Sequence, residues 1–202
     1  MGLVTFNMSV SLDGFVAGPN ATPENGLGDG GERLFDWYMN GNVELPNPGG
    51  PTLKVSPPSA AVVKESFASA GAMITGRKTF EIAHAWGGNP PIAPCYIVTH
   101  IVPQEWTQPG SKFTFVTDGI ASAIRQAKKA AGNQKVVVST ASTLQQAIQA
   151  GLVDELDIDL VPVLLGSGVR LFDNLGAASI NLEIVRVVQA PSVTHLRYRV
   201  VK

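Results

Sequence analysis

The spacing of apolar positions changes several times along the chain, and those changes outline a fold. Leu3 to Leu12 predicts a first strand. Asp13-Gly14 follows as a turn pair, and Phe15-Val16-Ala17 is a second short apolar piece. Between Gly18 and Pro58 the periodicity disappears, and eight glycines and seven prolines take its place. Glycine is conformationally free and proline lacks a backbone N–H, so this density breaks regular structure. Only Glu32 to Met39 offers a short helical segment there. The stretch predicts an active-site flap with few contacts to hold it.

From Ser59 onward, order returns. Ser59 is placed to cap a helix bearing Val62, Val63, Phe67 and Ala70, and Gly71 stands where that helix stops. Ala72–Thr75 predicts a strand and Thr79–His84 a brief helix, followed by strands at Tyr96–Thr99 and Phe113–Thr117. Ile120, Ala123, Ile124 and Ala127 form a helical stripe ended by Gly132. Val136-Val137-Val138 is the continuous apolar run expected of a strand inside a parallel sheet. Leu144, Ala147 and Ile148 begin another helix, capped by Ser142 or Thr143 and closed by Gly151. After it, Leu156–Leu165, Asn181–Val188 and Val193–Val201 read as strands, the last two as a hairpin through Ala190-Pro191-Ser192. Alternating strands and helices with an antiparallel finish predict one α/β domain over residues 1–202. Its sheet is mixed and mostly parallel, helices flank both faces, and an antiparallel hairpin ends the chain.

Composition adds exclusions. At 202 residues, 45% hydrophobic and 15% charged, the chain reads as one compact domain rather than a disordered segment. Fifteen basic against sixteen acidic residues leave a net charge of -1, so no strong field draws in nucleic acid or an anionic membrane. Any anion site must be local. No apolar run reaches the roughly 20 residues that a membrane-spanning helix needs, and Met1–Val10 carries no basic leader. The cytoplasm is the expected compartment. The one cysteine, Cys95, falls in strand-like sequence and reads as core. His84, His100 and His195 lack metal-ligand spacing, so no metal is expected. Asp13, Asp36 and Asp118 are available as acids, although Asp13 and Asp118 precede glycine and read as turn residues.

Two phosphate signatures are imitated without their context. Gly26-Leu27-Gly28-Asp29-Gly30-Gly31 spells G-x-G-x-x-G, but it lies in mid-loop instead of between a strand and a helix. Gly71 to Thr79 mimics a Walker A motif, yet its interior is strand-like. What remains at Gly76-Arg77-Lys78-Thr79 is a strand end opening into a helix, with two cations and a hydroxyl. Helix N-termini present free N–H groups and a positive dipole end, which suits phosphate. A solvated basic turn explains the same residues equally well. Ser139-Thr140-Ala141-Ser142-Thr143, ahead of Leu144, repeats the arrangement, with plain helix capping as its alternative. Two such mouths in one domain favour a ligand with separated phosphates, which points towards a dinucleotide.

Four segments resemble the reductase domain of the riboflavin-biosynthesis deaminase-reductases, a dihydrofolate-reductase-like family. They are Ser11-Leu12-Asp13-Gly14-Phe15-Val16-Ala17-Gly18-Pro19-Asn20, Gly76-Arg77-Lys78-Thr79-Phe80-Glu81, Gly151-Leu152-Val153-Asp154-Glu155-Leu156, and Pro162 through Phe172. The resemblance implies an NADPH-dependent reductase of a small heterocyclic or ribosylamino-pyrimidine-type substrate, working as a homodimer. It implies that Ser9 lies against the nicotinamide, with Val16, Ala17, Gly26 and Leu27 as further contacts. Gly76, Arg77, Lys78 and Thr79 would hold the adenosine-side phosphates, and Thr99 and His100 would lie along the adenosine. Ser139, Thr140, Ala141, Ser142, Thr143 and Leu144 would face the pyrophosphate. The chain departs from the family twice. Ser139-Thr140 stands where relatives carry Gly-Gly, which opens the alternative of a non-enzymatic small-molecule-binding homologue. The stretch Ser59-Ala60-Ala61-Val62-Val63 carries no acid where dihydrofolate reductases proper place one, which disfavours folate as the substrate. No catalytic residue is assigned.

Overall fold

The structure, a computed structural model, describes residues 2–176 and 179–202. Twelve strands and four α-helices are present among them. In chain order the strands are β1 (Val4–Ser11), β2 (Phe15–Ala17), β3 (Val43–Leu45), β4 (Leu53–Val55), β5 (Ala70–Gly76), β6 (Cys95–Val98), β7 (Phe113–Val116), β8 (Lys135–Val138), β9 (Glu155–Val161), β10 (Val169–Arg170), β11 (Leu182–Ala190) and β12 (Val193–Val200). The helices are α1 (Pro57–Ser69), α2 (Arg77–Ile82), α3 (Ile120–Ala131) and α4 (Ala141–Gln149).

Eight strands form one sheet in the order β11-β12-β9-β1-β8-β5-β6-β7. The pairs from β9 through β7 are all parallel, and the β11–β12 hairpin joins antiparallel on β9. This is the predicted mixed, mostly parallel sheet with its antiparallel finish, and it is dihydrofolate-reductase-like. No described helix is long and apolar enough to cross a membrane.

Successive side chains of a strand point to opposite faces, so each strand contributes to two environments. Val4, Phe6 and Val10 of β1 enter the main core with Ala72 and Ile74 of β5, Val136 and Val138 of β8, and the buried stripes of α3 and α4. Thr5, Asn7, Ser9 and Ser11 face the other way. There the polar positions of β9 and β12 continue the row, and α1 covers it. Glu65 of α1 binds Arg197 at 2.8 Å and Arg186 at 2.5 Å, while Ala60 and Val63 join a second core.

Several local expectations are corrected. The cap of α1 is Ser56, whose side chain accepts from the Ser59 amide; Pro57 takes the first helical position, where its missing N–H costs nothing. Gly71 does not stop the helix. It lies in β5, where a Cβ would come within 2.7 Å of the Gln134 Cβ and 2.9 Å of the Ala131 Cβ. The second short helix opens at Arg77, two residues earlier than expected. Ser142 and Thr143 lie inside α4, and Thr140 occupies its cap position without a side-chain cap bond.

The Gly18–Pro58 stretch differs most. A 3-10 helix occupies Gly31–Tyr38, and β3 and β4 pair as a hairpin that the sequence pattern did not announce. Leu34, Trp37, Leu45, Leu53 and Val55 are all buried in the second core, against Val161 and Val193. Few, widely spaced apolar residues are enough to anchor it. The part before Gly31 remains loop, as do residues 46–52 between β3 and β4; the first is held by Asn20 and Asn25 side-chain bonds to Asp29 at 2.7 and 2.8 Å.

Candidate functional site

The parallel strands β5 and β8 are neighbours, so the helices that follow them open side by side at the carboxyl edge of the sheet. Ligands of open α/β sheets bind at that edge. The two predicted mouths meet at Gly76. A Cβ there would lie 3.5 Å from Ser142 Oγ, 3.7 Å from Thr140 Oγ1 and 3.8 Å from Thr143 Cγ2. Those are ordinary contacts, so the protein does not require glycine at this point, and glycine leaves a cradle bounded by hydroxyls.

Bonding within the α4 mouth decides which groups are available. Thr143 donates its hydroxyl proton to the Ser139 carbonyl at 2.5 Å. It therefore accepts from Thr140 Oγ1, 2.9 Å away. Both threonine hydroxyls are spent, and no side chain caps the helix, so the Ala141, Ser142 and Thr143 amides remain as donors. Leu144 is fully buried in the main core and anchors the helix. Thr140 holds φ 87, ψ 147. That region suits glycine and costs a β-branched residue about 1–3 kcal/mol. Threonine thus stands in a backbone shape that glycine adopts without strain.

At the α2 mouth, Arg77 Nε donates to Glu81 at 2.6 Å and its terminal nitrogen to the Ile101 carbonyl at 2.8 Å. Thr99 Oγ1 donates to that same carbonyl at 2.8 Å, which ties the end of β6 to the mouth. Lys78 and His100 are exposed, and Lys78 has no ion pair among the described residues. Beside Gly76, the Thr75 hydroxyl is fully buried and finds no hydrogen-bond partner among the described residues. A buried, unpaired hydroxyl costs about 1–3 kcal/mol, and Thr75 turns it to the sheet face opposite the α4 mouth. The open cradle at Gly76, uncapped amides and nearby cations fit a phosphate-bearing cofactor.

The remaining implied contacts are spread out. Val16 packs into the main core and Ala17 pairs with Val169 of β10. Gly26 approaches α2, its added Cβ lying 4.0 Å from Ile82 Cγ2, and the Leu27 carbonyl accepts from the Gly18 amide. Asp13 is a turn residue as expected. The Ser11 hydroxyl, helped by the Gly166 and Leu165 amides, holds its carboxyl down to about 2.

Ser9 leads to a group that the sequence did not announce. Its hydroxyl, fully buried, accepts from Trp37 Nε1 at 3.0 Å, and the Trp37 ring stands edge-on to His195 with centroids 5.1 Å apart. His195 Nδ1 lies 2.6 Å from Asp159 Oδ1, and Nε2 lies 2.9 Å from Ser59 Oγ. Asn7 donates to the other Asp159 oxygen at 3.3 Å. Ser56 donates to Ser59 at 3.1 Å. The acid absent from α1 is thus present beneath it, on the sheet, connected through His195. Asp36 and Asp118, weighed as acids from the sequence, are exposed. The one available signal was β9 itself, where Glu155, Asp157 and Asp159 alternate with Leu156, Ile158 and Leu160.

A cavity of about 410 Å³ lies away from this edge, lined by residues that include Ile148, Val153, Ile180, Val200 and Lys202. Lys202 is paired with Asp154 at 2.6 Å.

Comparison with known proteins agrees with this architecture. No curated protein matches the chain. Among solved structures, a protein from Shewanella sp. PV-4 described as a riboflavin biosynthesis protein superposes with a TM-score of 0.71 at 20% identity, covering 100% of both chains. RibD of Acinetobacter baumannii gives 0.63 at 16% identity, covering all of this chain and 59% of that one. Dihydrofolate reductase from Enterococcus faecalis, complexed with NADP(H), gives 0.56 at 12% identity, covering 100% of this chain and 98% of that one. At these identities the likeness establishes the fold. The family model for the RibD C-terminal domain matches residues 3–196, and the chain belongs to that family of riboflavin-biosynthesis-type reductase domains.

Proposed function

We propose that the chain is an NADPH-dependent reductase that transfers hydride to a small heterocyclic or ribosylamino-pyrimidine-type substrate. The observation that carries this reading is the pair of helix mouths joined at Gly76, with the uncapped Ala141–Thr143 amides at one and Lys78 at the other. The Ala141–Thr143 amides would hold a pyrophosphate, and Lys78 with Arg77 would hold a 2′-phosphate. When bound, the reduced nicotinamide supplies the hydride; the protein supplies orientation and electrostatics. Ser9 is fully buried beneath Trp37, so the 3-10 segment must shift for a ring to lie against it.

The proposed compartment is the cytoplasm and the proposed assembly a homodimer. The edge strand β11 supports the second, because Ile184, Val185 and Val187 are exposed along it and unpaired edges invite pairing. Absorbance at the nicotinamide wavelength, with 5-amino-6-(5-phosphoribosylamino)uracil and NADPH, tests the activity. Consumption of NADPH dependent on the uracil supports the reading. Tight NADPH binding without consumption leaves a reductase of another substrate. Absence of any NADPH binding, read by tryptophan fluorescence, rejects the reductase and favours the non-enzymatic homologue, for which the strained Thr140 is the favouring observation.

A further inference from the structure

Reduction of a C=N or C=O bond by hydride leaves an electron pair on nitrogen or oxygen, and that atom must take a proton. The hydroxyls of Thr140 and Thr143 are spent on each other and on the backbone, and the family resemblance sets Arg77, Lys78 and His100 along the adenosine, away from the reacting ring. A proton source has to lie elsewhere in the fold.

We propose that Asp159, His195 and Ser59 form a relay that stores this proton and passes it to the substrate by way of Ser56. The proposal rests on the reductase reading. Its parts come from three elements. Asp159 on β9 and His195 on β12 face each other across the antiparallel pair, and Ser59 comes down from α1. Asp159 accepts from Nδ1, which fixes the imidazole so that Nε2 addresses Ser59. Asp159, His195 and Ser59 are each no more than 4% exposed, whereas Ser56 is half-buried. The chain of hydrogen bonds therefore runs from a closed interior to one open end, at the start of α1. Ser9, the register partner of Asp159 on β1, lies one strand from the carboxylate.

Hydride goes to the carbon of the double bond. Both serine hydroxyls turn about their C–O bonds, which reverses the resting Ser56-to-Ser59 bond; Ser56 gives its proton to the nitrogen or oxygen and takes one from Ser59. Ser59 is restored from Nε2 of the imidazolium, and the neutral His195 left behind recovers its proton from solvent by the same path after product leaves. Ser56 touches substrate; Ser59, His195 and Asp159 act through it. The same three groups do not make a nucleophilic triad, because Ser59 is closed to any acyl substrate.

Other charged and titratable groups face the imidazole from the elements packed around it. Asp157 is engaged by Arg197 at 2.5 Å, and burial pushes its carboxyl up. Glu65 takes Arg186 and Arg197, and the Arg186 bond leads in holding its carboxyl down. Burial, with Asp159 second, pushes the Tyr38 phenol up, so Tyr38 stays neutral. The Arg197, Asp157, Glu65 and Arg186 charges balance among themselves, which leaves Asp159 and His195 as the pair that carries the proton.

Two readouts test this. In a Trp86→Phe, Trp106→Phe background, Trp37 is the only tryptophan, and a protonated imidazole at 5.1 Å quenches indole emission. The expected result is emission that rises with pH along one titration, absent in His195→Gln. With NADPH and the aminouracil substrate, kcat of the parent enzyme falls as pH rises along that same titration. His195→Gln and Ser59→Ala lose about 10²-fold in kcat, the scale of a positioned acid, at unchanged NADPH affinity, and Ser59→Thr restores most of it. Trp37 emission that is flat across the range in which kcat varies overturns the relay, as does a kcat profile that is the same in His195→Gln. A parent enzyme that binds NADPH but never consumes it with this substrate overturns the relay together with the reductase assignment for that substrate. Circular dichroism separates loss of fold from loss of function, and Ser59→Ala, a small truncation outside the charged pair, keeps the test alive if His195→Gln does not fold.

Discussion

Two polar regions lie on the one large sheet and are built on opposite principles. At the carboxyl edge, the α4 amides are uncapped, Lys78 is exposed, and Thr140 sits in a strained conformation. Beneath α1, Ser9, Ser59, Asp159 and His195 are buried, Asn7 is half-buried, and every one of them is bonded. Unsatisfied groups raise the free energy of the empty protein and fall when a ligand arrives. Satisfied buried networks are rigid before any ligand arrives, and they fail badly when one member is lost. The first pattern is what a binding surface requires, and the second is what a pre-assembled relay requires.

The largest effect expected from this contrast is on stability. His195→Leu should destabilise the protein by about 3–5 kcal/mol, because it strands the Asp159 carboxylate in the interior. Lys78→Ala, at the edge, should leave stability within about 0.5 kcal/mol. Urea denaturation of both variants checks the pair. Equal losses would erase the distinction between the two regions.

Next comes cofactor choice. NADPH should bind more tightly than NADH, and Arg77→Ala or Lys78→Ala should each remove about 1.5–3 kcal/mol of that preference, since contacts to charged groups have this size. Because Arg77 already serves Glu81 and the Ile101 carbonyl, Lys78 is expected to contribute the larger share. Fluorescence titration with both cofactors decides, and equal affinities for NADPH and NADH would remove the phosphate role from this mouth.

The same contrast explains what could be read from the chain. The edge was legible because each mouth is local: a strand end, two or three polar residues and a helix start lie within ten positions. The mixed, mostly parallel character of the sheet was legible from apolar runs such as Val136–Val138 followed by the alternating C-terminal strands. The relay was not, because Ser59, Asp159 and His195 are joined only by the pairing of β9 with β12 and the docking of α1. An alternating strand normally turns its polar side to water, and β9 turns Asp159 under a helix instead. The β3–β4 hairpin was hidden for a related reason. Two three-residue strands with single buried anchors leave no periodicity to detect among so many glycines and prolines.

A third prediction uses the orphan directly. Thr75→Val keeps the shape and removes the unpaired hydroxyl, so the free protein should gain about 1–3 kcal/mol. NADPH affinity should stay unchanged in the same variant, because the hydroxyl is closed and faces away from the α4 mouth. A drop in affinity would mean that the cofactor reaches it.

The smallest net effect on stability, and the most informative one on binding, is expected where the chain departs from its relatives. Replacing Thr140 by glycine releases about 1–3 kcal/mol of backbone strain at φ 87. Against this stand the bond to Thr143, about 0.5–1.5 kcal/mol, and the greater freedom of glycine in the unfolded chain, about 0.5–1 kcal/mol. The terms nearly cancel, so thermal unfolding should move by only a few degrees. Binding does not cancel in the same way. The Thr140 hydroxyl is already committed to Thr143 and offers a phosphate nothing, while its branched side chain crowds the Ala141–Thr143 amides that do the donating. Ser139→Gly with Thr140→Gly should therefore tighten NADPH binding. Weaker binding would mean that the hydroxyls exchange partners when the cofactor arrives, and that the α4 mouth, for all its open amides, is as pre-assembled as the network under α1.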